Sequence, residues 1–338
     1  MPRKRIGFLS IFLASVLAIG AMDAVAGAGG ATRVPSARRF EFTYVVRVPA
    51  TSGRELRLWV PVPHSGRYQT ISHVRIESPV AYRVSRFAEG NEDAYFVLRG
   101  AQLRKPTEIR MRFDVFRREH TTRLPAGDPE PVGAKMSPAL AFYLRPARMI
   151  PLGGIIGQLS AETTRGVSDP LVKVRKIYEY VIAHMRYDKS GTGWGRGDAV
   201  WACTSHRGNC TDFHSLFIGM VRAAGIPARF RIGFPLPENE RQGEIPGYHC
   251  WAEFYINRVG WVPIDASEAW QDPARHNFYF GNLDPDRVMF TMGRDLRLSP
   301  PQRNQSLNYF VYPYAELDSK PFSGLGHQFS FRDLPTKR

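Results

Sequence analysis

Gly208-Asn209-Cys210-Thr211-Asp212-Phe213-His214-Ser215-Leu216-Phe217, then Tyr248-His249-Cys250-Trp251-Ala252-Glu253-Phe254, then Gly260-Trp261-Val262-Pro263-Ile264-Asp265, is the stretch around which the 338-residue chain is organised. Cys210 opens a run in which Phe213, Leu216, Phe217, Met220, Val221 and Ala224 recur at helical spacing, ending at Gly225 with Pro227 beyond it. That order marks an apolar helix face followed by a glycine stop. A cysteine in the first turn of a helix sits against unpaired N–H groups and the positive end of the helix dipole, which favour its thiolate. His249 begins an aromatic-rich strand pattern, and the runs 251–256 and 261–265 read as a hairpin around residues 257–260. Partners joined by so short a hairpin can be adjacent, so Asp265 can orient His249, and His249 can serve a Cys210 nucleophile. The backbone N–H of Cys210 is then a natural oxyanion donor. Taken singly, a helix-start cysteine also fits a small buried hydrophobe, and the histidine and aspartate fit packing and capping roles. Order and spacing together favour the chemistry.

Upstream, Asp169 and Pro170 read as a helix start, with Leu171, Val174, Ile177, Tyr178, Val181, Ile182 and Met185 along one face. The loop 189–197 holds four glycines but lacks the Gly-Lys-Ser/Thr ending of a phosphate loop. Cys203, His206, Cys210, His214, His249 and Cys250 have no compact zinc spacing, so no metal and no cofactor is expected. Three cysteines in all imply at least one free thiol, with Cys203–Cys250 the pairing to consider. Asp212, His214 and Glu253 fit structural hydrogen bonds or the lining of a cleft. Downstream, residues 228–234 alternate as a strand, so helices precede strands in an α+β core.

Before this core, residues 38–120 carry short alternating runs, at 40–46, 56–62, 73–76, 82–84, 95–98 and 109–116, separated by Gly, Pro and Ser turns. They predict an all-β sandwich. Residues 121–168, broken by six prolines, read as a connector, residues 169–275 as the core, and 276–338 as a C-terminal extension packed on it. The N-terminus has Arg3, Lys4 and Arg5, an apolar run from Ile6 to Met22 and Ala24-Val25-Ala26 before Gly27. Residues 1–26 therefore read as a secretory signal peptide, and the protein as periplasmic or secreted. No later stretch is long and apolar enough to span a membrane. The formal charge of +15 suits an anionic cell-envelope surface. The basic residues are scattered, without the basic helix or aromatic stripe of a nucleic-acid binder, so no nucleic acid is expected.

The cysteine segment, continued by Arg222-Ala223-Ala224-Gly225-Ile226-Pro227-Ala228-Arg229, resembles that of the transglutaminase-like superfamily. His249-Cys250-Trp251-Ala252-Glu253-Phe254 resembles its histidine segment, and Gly260-Trp261-Val262-Pro263-Ile264-Asp265 its aspartate segment. The likeness spans about residues 170–270, and residues 276–314 resemble the tail of exported bacterial members. It implies a papain-like core with Cys210 as nucleophile, His249 as general acid/base and Asp265 as orienter. A tryptophan supporting the oxyanion, here Trp201 or Trp194, is a further implication. Members either cross-link glutamine to amines or cleave amide bonds, both through a thioester. The chain carries no calcium loop of the kind cross-linking members use, so an amide hydrolase acting on a peptide or protein is the first expectation. Amine transfer and a peptide-binding module with a relic triad are the alternatives.

Overall fold

Strand β1 (Ala37–Val48) is the organiser of the N-terminal half. Along it Phe40, Phe42, Tyr44 and Val46 are buried on one face, as the period of two requires. With β2 (Glu55–Val62), β3 (Gln69–Glu77), β4 (Tyr82–Arg86), β5 (Glu92–Arg99) and β6 (Thr107–Arg118), it forms the strands expected of the sandwich. The computed structural model describes residues 36–125 and 136–335; the expected leader at 1–26 lies outside them.

Two five-stranded sheets face each other. One has the order Gln242–Glu244, Gly326–Asp333, β1, β6, β3, and the other Lys320–Pro321, Tyr314–Leu317, β2, β5, β4. Both therefore recruit strands from the C-terminal segment. Gly326–Asp333 pairs antiparallel along the free edge of β1, from Arg47↔Gly326 to Phe40↔Asp333. Tyr314–Leu317 covers β2, from Leu56↔Leu317 to Trp59↔Tyr314. An uncovered edge strand leaves a row of unpaired N–H and C=O groups. The tail satisfies them, so the two ends of the chain share one β framework.

The second half is a four-stranded antiparallel sheet with helices against it. Its order is Gly260–Ile264, His249–Ile256, Ala228–Pro235, Arg287–Met292. The helices are Gly154–Thr163, Pro170–His184, Ala199–Ser205, Cys210–Ala223 and Ala266–Gln271. Asp169 caps the second of these through the N–H groups of Leu171 and Val172. Val174, Ile177, Tyr178 and Val181 are its buried face. The Cys210–Ala223 helix is the hub, buried on every side from Cys210 to Val221, where the sequence predicted one apolar face. Its polar residues tolerate burial because each finds a partner: Thr211 bonds Tyr248, Ser215 takes a hydrogen bond from Arg294, and His214 takes one from the Ala266 N–H.

The two halves share one core, and the described residues fall within a single compact unit. Phe42 and Phe113 of the sandwich pack on Phe290 and Phe234 of the core sheet, with ring centroids 5.1–5.8 Å apart. Such pairs add about 0.5–1.5 kcal/mol each beyond area burial. They fix the sheet that carries His249 against the sandwich. Among the described residues, no helix is long and apolar enough to cross a membrane.

Candidate active site

Cys210 occupies the first helical position because Asn209 caps the helix. The Asn209 side chain accepts from the Thr211 N–H at 2.9 Å, and Asp212 reaches back to the Asn209 N–H at 3.0 Å. This reciprocal cap satisfies two otherwise orphaned donors. Asp212 does more, accepting from the N–H groups of Gly195 at 2.6 Å and Gly197 at 2.9 Å. The glycine loop is thereby tied to the helix start. Its four glycines all have positive φ, from +60° to +94°, a region that costs residues with a Cβ. Gly208 lies so close beneath the cap that an added Cβ would stand 2.6 Å from Asp212 Cβ. Gly208→Ala is therefore expected to lower stability by about 1–3 kcal/mol and to slow alkylation of Cys210, measured by urea unfolding and thiol labelling.

His249 is the first residue of its strand, and Asp265 follows the neighbouring one, where it caps the Ala266–Gln271 helix through the Glu268 N–H at 3.1 Å. The hairpin brings His249 Nε2 to 2.7 Å from Asp265 Oδ2. The other side of the ring is hydrogen-bonded to the Cys210 thiol. Both Asp265 and Cys210 are buried, and Cys210 is 1% exposed.

Burial opposes every charge here, yet the mutual interactions win. Burial raises the Cys210 thiol, but hydrogen bonds from Cys250 and His249, with the His249 charge, hold it well below the ordinary thiol range. Burial disfavours the His249 cation, but the charge and hydrogen bond of Asp265, then Cys210 and Glu268, lift its pKa well above the usual value. Burial also raises Asp265, and His249 and Arg287 more than reverse that. These interactions favour a thiolate–imidazolium pair backed by a carboxylate.

Other groups surround the three residues. Arg287, 22 residues further along the chain, donates to Asp265 Oδ2 at 2.8 Å and to Asp284 at 2.8 Å. Glu268 Oε1 lies 3.6 Å from His249 Nε2. His214 Nε2 accepts from the Ala266 N–H at 3.1 Å, and burial keeps this ring neutral. Cys250 projects to the opposite face of the strand from His249, as alternation predicts, but it meets the nucleophile there. Its thiol hydrogen-bonds to Cys210 and lies 3.6 Å from His214 Nδ1. Burial, then the Cys210 charge, push Cys250 well above the ordinary thiol value, so it stays protonated and donates. Tyr248 accepts from Asn209 Nδ2 at 2.9 Å and shares a hydrogen bond with Thr211 at 2.8 Å, walling the thiol. Arg287 and Glu268 belong to no spacing rule; only the fold brings them in.

All three cysteines are free thiols, so Cys203 is not paired with Cys250. Trp194 Nε1 donates to the Gly191 carbonyl at 3.1 Å, and Trp201 Nε1 lies beneath Gly193; no hydrogen bond among the described residues joins either indole to Cys210. Glu253 is held by Arg229 at 2.6 Å and Arg231 at 3.0 Å, structural contacts of the kind expected of it. Among the described residues, His249, Asp265 and Glu268 have ligand atoms within 4.8 Å of one another, close enough for a cation. The Arg287 guanidinium already balances Asp265 there.

Comparisons with known proteins agree with this geometry. Residues 157–266, which contain Cys210, His249 and Asp265, match the family model of the Transglutaminase-like superfamily. An uncharacterised protein of Haemophilus influenzae is 28% identical over 353 residues, covering 92% of this chain and 95% of that protein. The uncharacterised protein YebA of Bacillus subtilis is 31% identical over 77 residues, a tenth of its own length. Among solved structures, one described as a candidate cysteine protease from Cytophaga hutchinsonii superposes with a TM-score of 0.63 at 15% identity, covering 90% of this chain and 93% of that one. That likeness is one of fold.

Proposed function

We propose that this chain, which carries a transglutaminase-like domain, is a thiol enzyme that opens amide bonds of a peptide or protein through an acyl-enzyme on Cys210. One observation carries the reading: the Cys210 thiol is hydrogen-bonded to an imidazole whose other nitrogen is held at 2.7 Å by a buried carboxylate. The Cys210 thiolate adds to the carbonyl carbon. The Cys210 N–H, which at the first helical position has no intrahelical partner, donates to the developing oxyanion. His249 gives its proton to the leaving amine, and a thioester remains. His249, now neutral, takes a proton from water as water attacks the thioester, and the thiolate returns. Asp265 keeps the ring oriented and its cation stabilised throughout.

The leader expected at 1–26 places this activity in the periplasm or outside the cell, on envelope peptides or proteins. The test is to incubate the protein and its Cys210→Ala variant with envelope fractions and identify altered amide bonds by mass spectrometry. Cleavage present with the native protein and absent with the variant supports the reading; identical products oppose it. Water and amines compete for the same thioester. A labelled primary amine added during turnover is expected to enter only a minor share of products. Incorporation into most of them would make the protein an amine transferase.

A further inference from the structure

The sheet face that carries His249 also carries Trp251 and Glu253, which alternate with it along the strand. Beyond Trp251, between this face and strand β6 of the sandwich, lies a cavity of about 300 Å³. Arg117, Arg229, Arg231, His120, Trp251 and Trp261 are among its walls. Its charges do not balance. The single carboxylate, Glu253, is taken by Arg229 at 2.6 Å and Arg231 at 3.0 Å. Arg117, only 5% exposed, points from the inner face of β6 with its Nε buried and without a hydrogen-bond partner. Arg231 spends one terminal nitrogen on the sulfur of Met289, a weak acceptor. His120 stacks on Tyr68 at 3.6 Å and adds no negative charge.

A buried guanidinium with an unused N–H is costly unless an anion completes it. Burial, and then the repulsion of Arg287, push Arg117 down to about 9, the direction an anionic ligand would reverse. Two indoles also line the cavity: Trp251 lies between Arg117, at 6.0 Å, and Arg287, at 5.2 Å, and Trp261 lies 3.8 Å beneath Arg229. A concave site of this size that combines aromatic walls with a few convergent polar donors is a common form of small-molecule site.

We propose that this cavity binds a carboxylate carried on a flat apolar body, with Arg117 and Arg231 gripping the carboxylate and Trp251 and Trp261 packing on the body. The planar guanidinium fork matches the two oxygens of a carboxylate. The site is distinct from the thiol but shares a wall with it. Trp251 separates the cavity from Arg287, which holds Asp265, and its ring lies 6.4 Å from that of His249. The carboxylate belongs either to a free organic acid or to the end of a peptide.

The probes are N-benzoylglycine, its amide N-benzoylglycinamide, benzoylglycylglycine and inorganic phosphate, titrated calorimetrically into the full chain and into its Cys210→Ala variant. Binding is expected to be the same in both, so the outcome does not depend on the role of Cys210. N-benzoylglycine is expected to bind roughly tenfold or more tightly than its amide, the difference made by charged hydrogen bonds. Tighter binding of benzoylglycylglycine than of N-benzoylglycine assigns the carboxylate to a peptide end, and the reverse assigns it to a free acid. Arg117→Met is expected to weaken N-benzoylglycine by a similar factor while leaving the melting temperature unchanged or higher, because it removes an uncompensated buried charge. Equal binding of acid and amide, no binding of either at millimolar concentration, or tighter binding of phosphate than of N-benzoylglycine would overturn the proposal. The comparison of acid with amide needs no variant, so it stands even if Arg117→Met misfolds.

Discussion

Replacing Cys210 with alanine is expected to reduce amide turnover by roughly ten-thousand-fold or more, to whatever oriented binding alone supplies. The fold should hardly notice. The substitution removes one sulfur from the start of a helix that Asn209 and Asp212 still cap, a change worth about 1 kcal/mol. Initial rates and urea midpoints measured on the same preparation separate the two effects. Cys203→Ala is the control: Cys203 is a free thiol in another helix, and burial raises its pKa. Its turnover should match the native value. A Cys210→Ala protein that retains activity would remove the nucleophile from the account.

Asp265→Asn should have the second-largest effect, on rate and stability together. The amide takes from His249 Nε2 its hydrogen-bonded carboxylate and releases one of the two carboxylates that hold Arg287. Turnover is expected to fall by roughly a hundred- to ten-thousand-fold, as when an orienting carboxylate is neutralised. Stability is expected to fall by up to about 3–5 kcal/mol, the cost of breaking a buried ion pair. The pH dependence follows from the sign of the shift. Asp265 titrates lower in the folded protein than its ordinary value of about 3.9. Its stabilisation is therefore complete above that value and is lost as pH falls. Glu253 and Asp284, each held down to about 2, act in the same direction. Native protein should lose stability between about pH 5 and pH 2, and Asp265→Asn should lose less over that interval. His249 acts oppositely: its raised pKa stabilises below the ordinary value of about 6.5 and is lost as pH rises through the folded value. Urea unfolding at pH 3, 5 and 7 measures these slopes.

What the sequence made legible is what short-range chemistry writes. A cap before Cys210, a glycine and proline after its helix, and a turn between two alternating runs are local signals, and they position Cys210, His249 and Asp265 within a few residues of where they lie. The strands 40–46 to 109–116 were legible for the same reason, because one buried face imposes a period of two. What stayed hidden depends on contacts between distant parts of the chain. The pairing of β1 with Gly326–Asp333 joins opposite ends of the molecule, and no local pattern encodes it. Arg287 and Cys250 have ordinary local surroundings, and their roles come from the partners the fold supplies. The Cys210 helix was read from the apolar face of Phe213, Leu216, Phe217, Met220, Val221 and Ala224, which leaves Thr211, Asp212, His214 and Ser215 off that face. Each is a buried residue with a specific partner, a distinction that composition cannot make.

The central claim is that Cys210 rests as a thiolate paired with His249. Its most direct test is the pH dependence of Cys210 alkylation, resolved by mass spectrometry, in native and His249→Ala protein. The native rate should stay high well below the ordinary thiol range, because the imidazolium preserves the thiolate. The His249→Ala rate should fall with the titration of an ordinary thiol, near pH 8.5. A native profile that follows the ordinary thiol titration, and is unchanged in His249→Ala, would contradict the account.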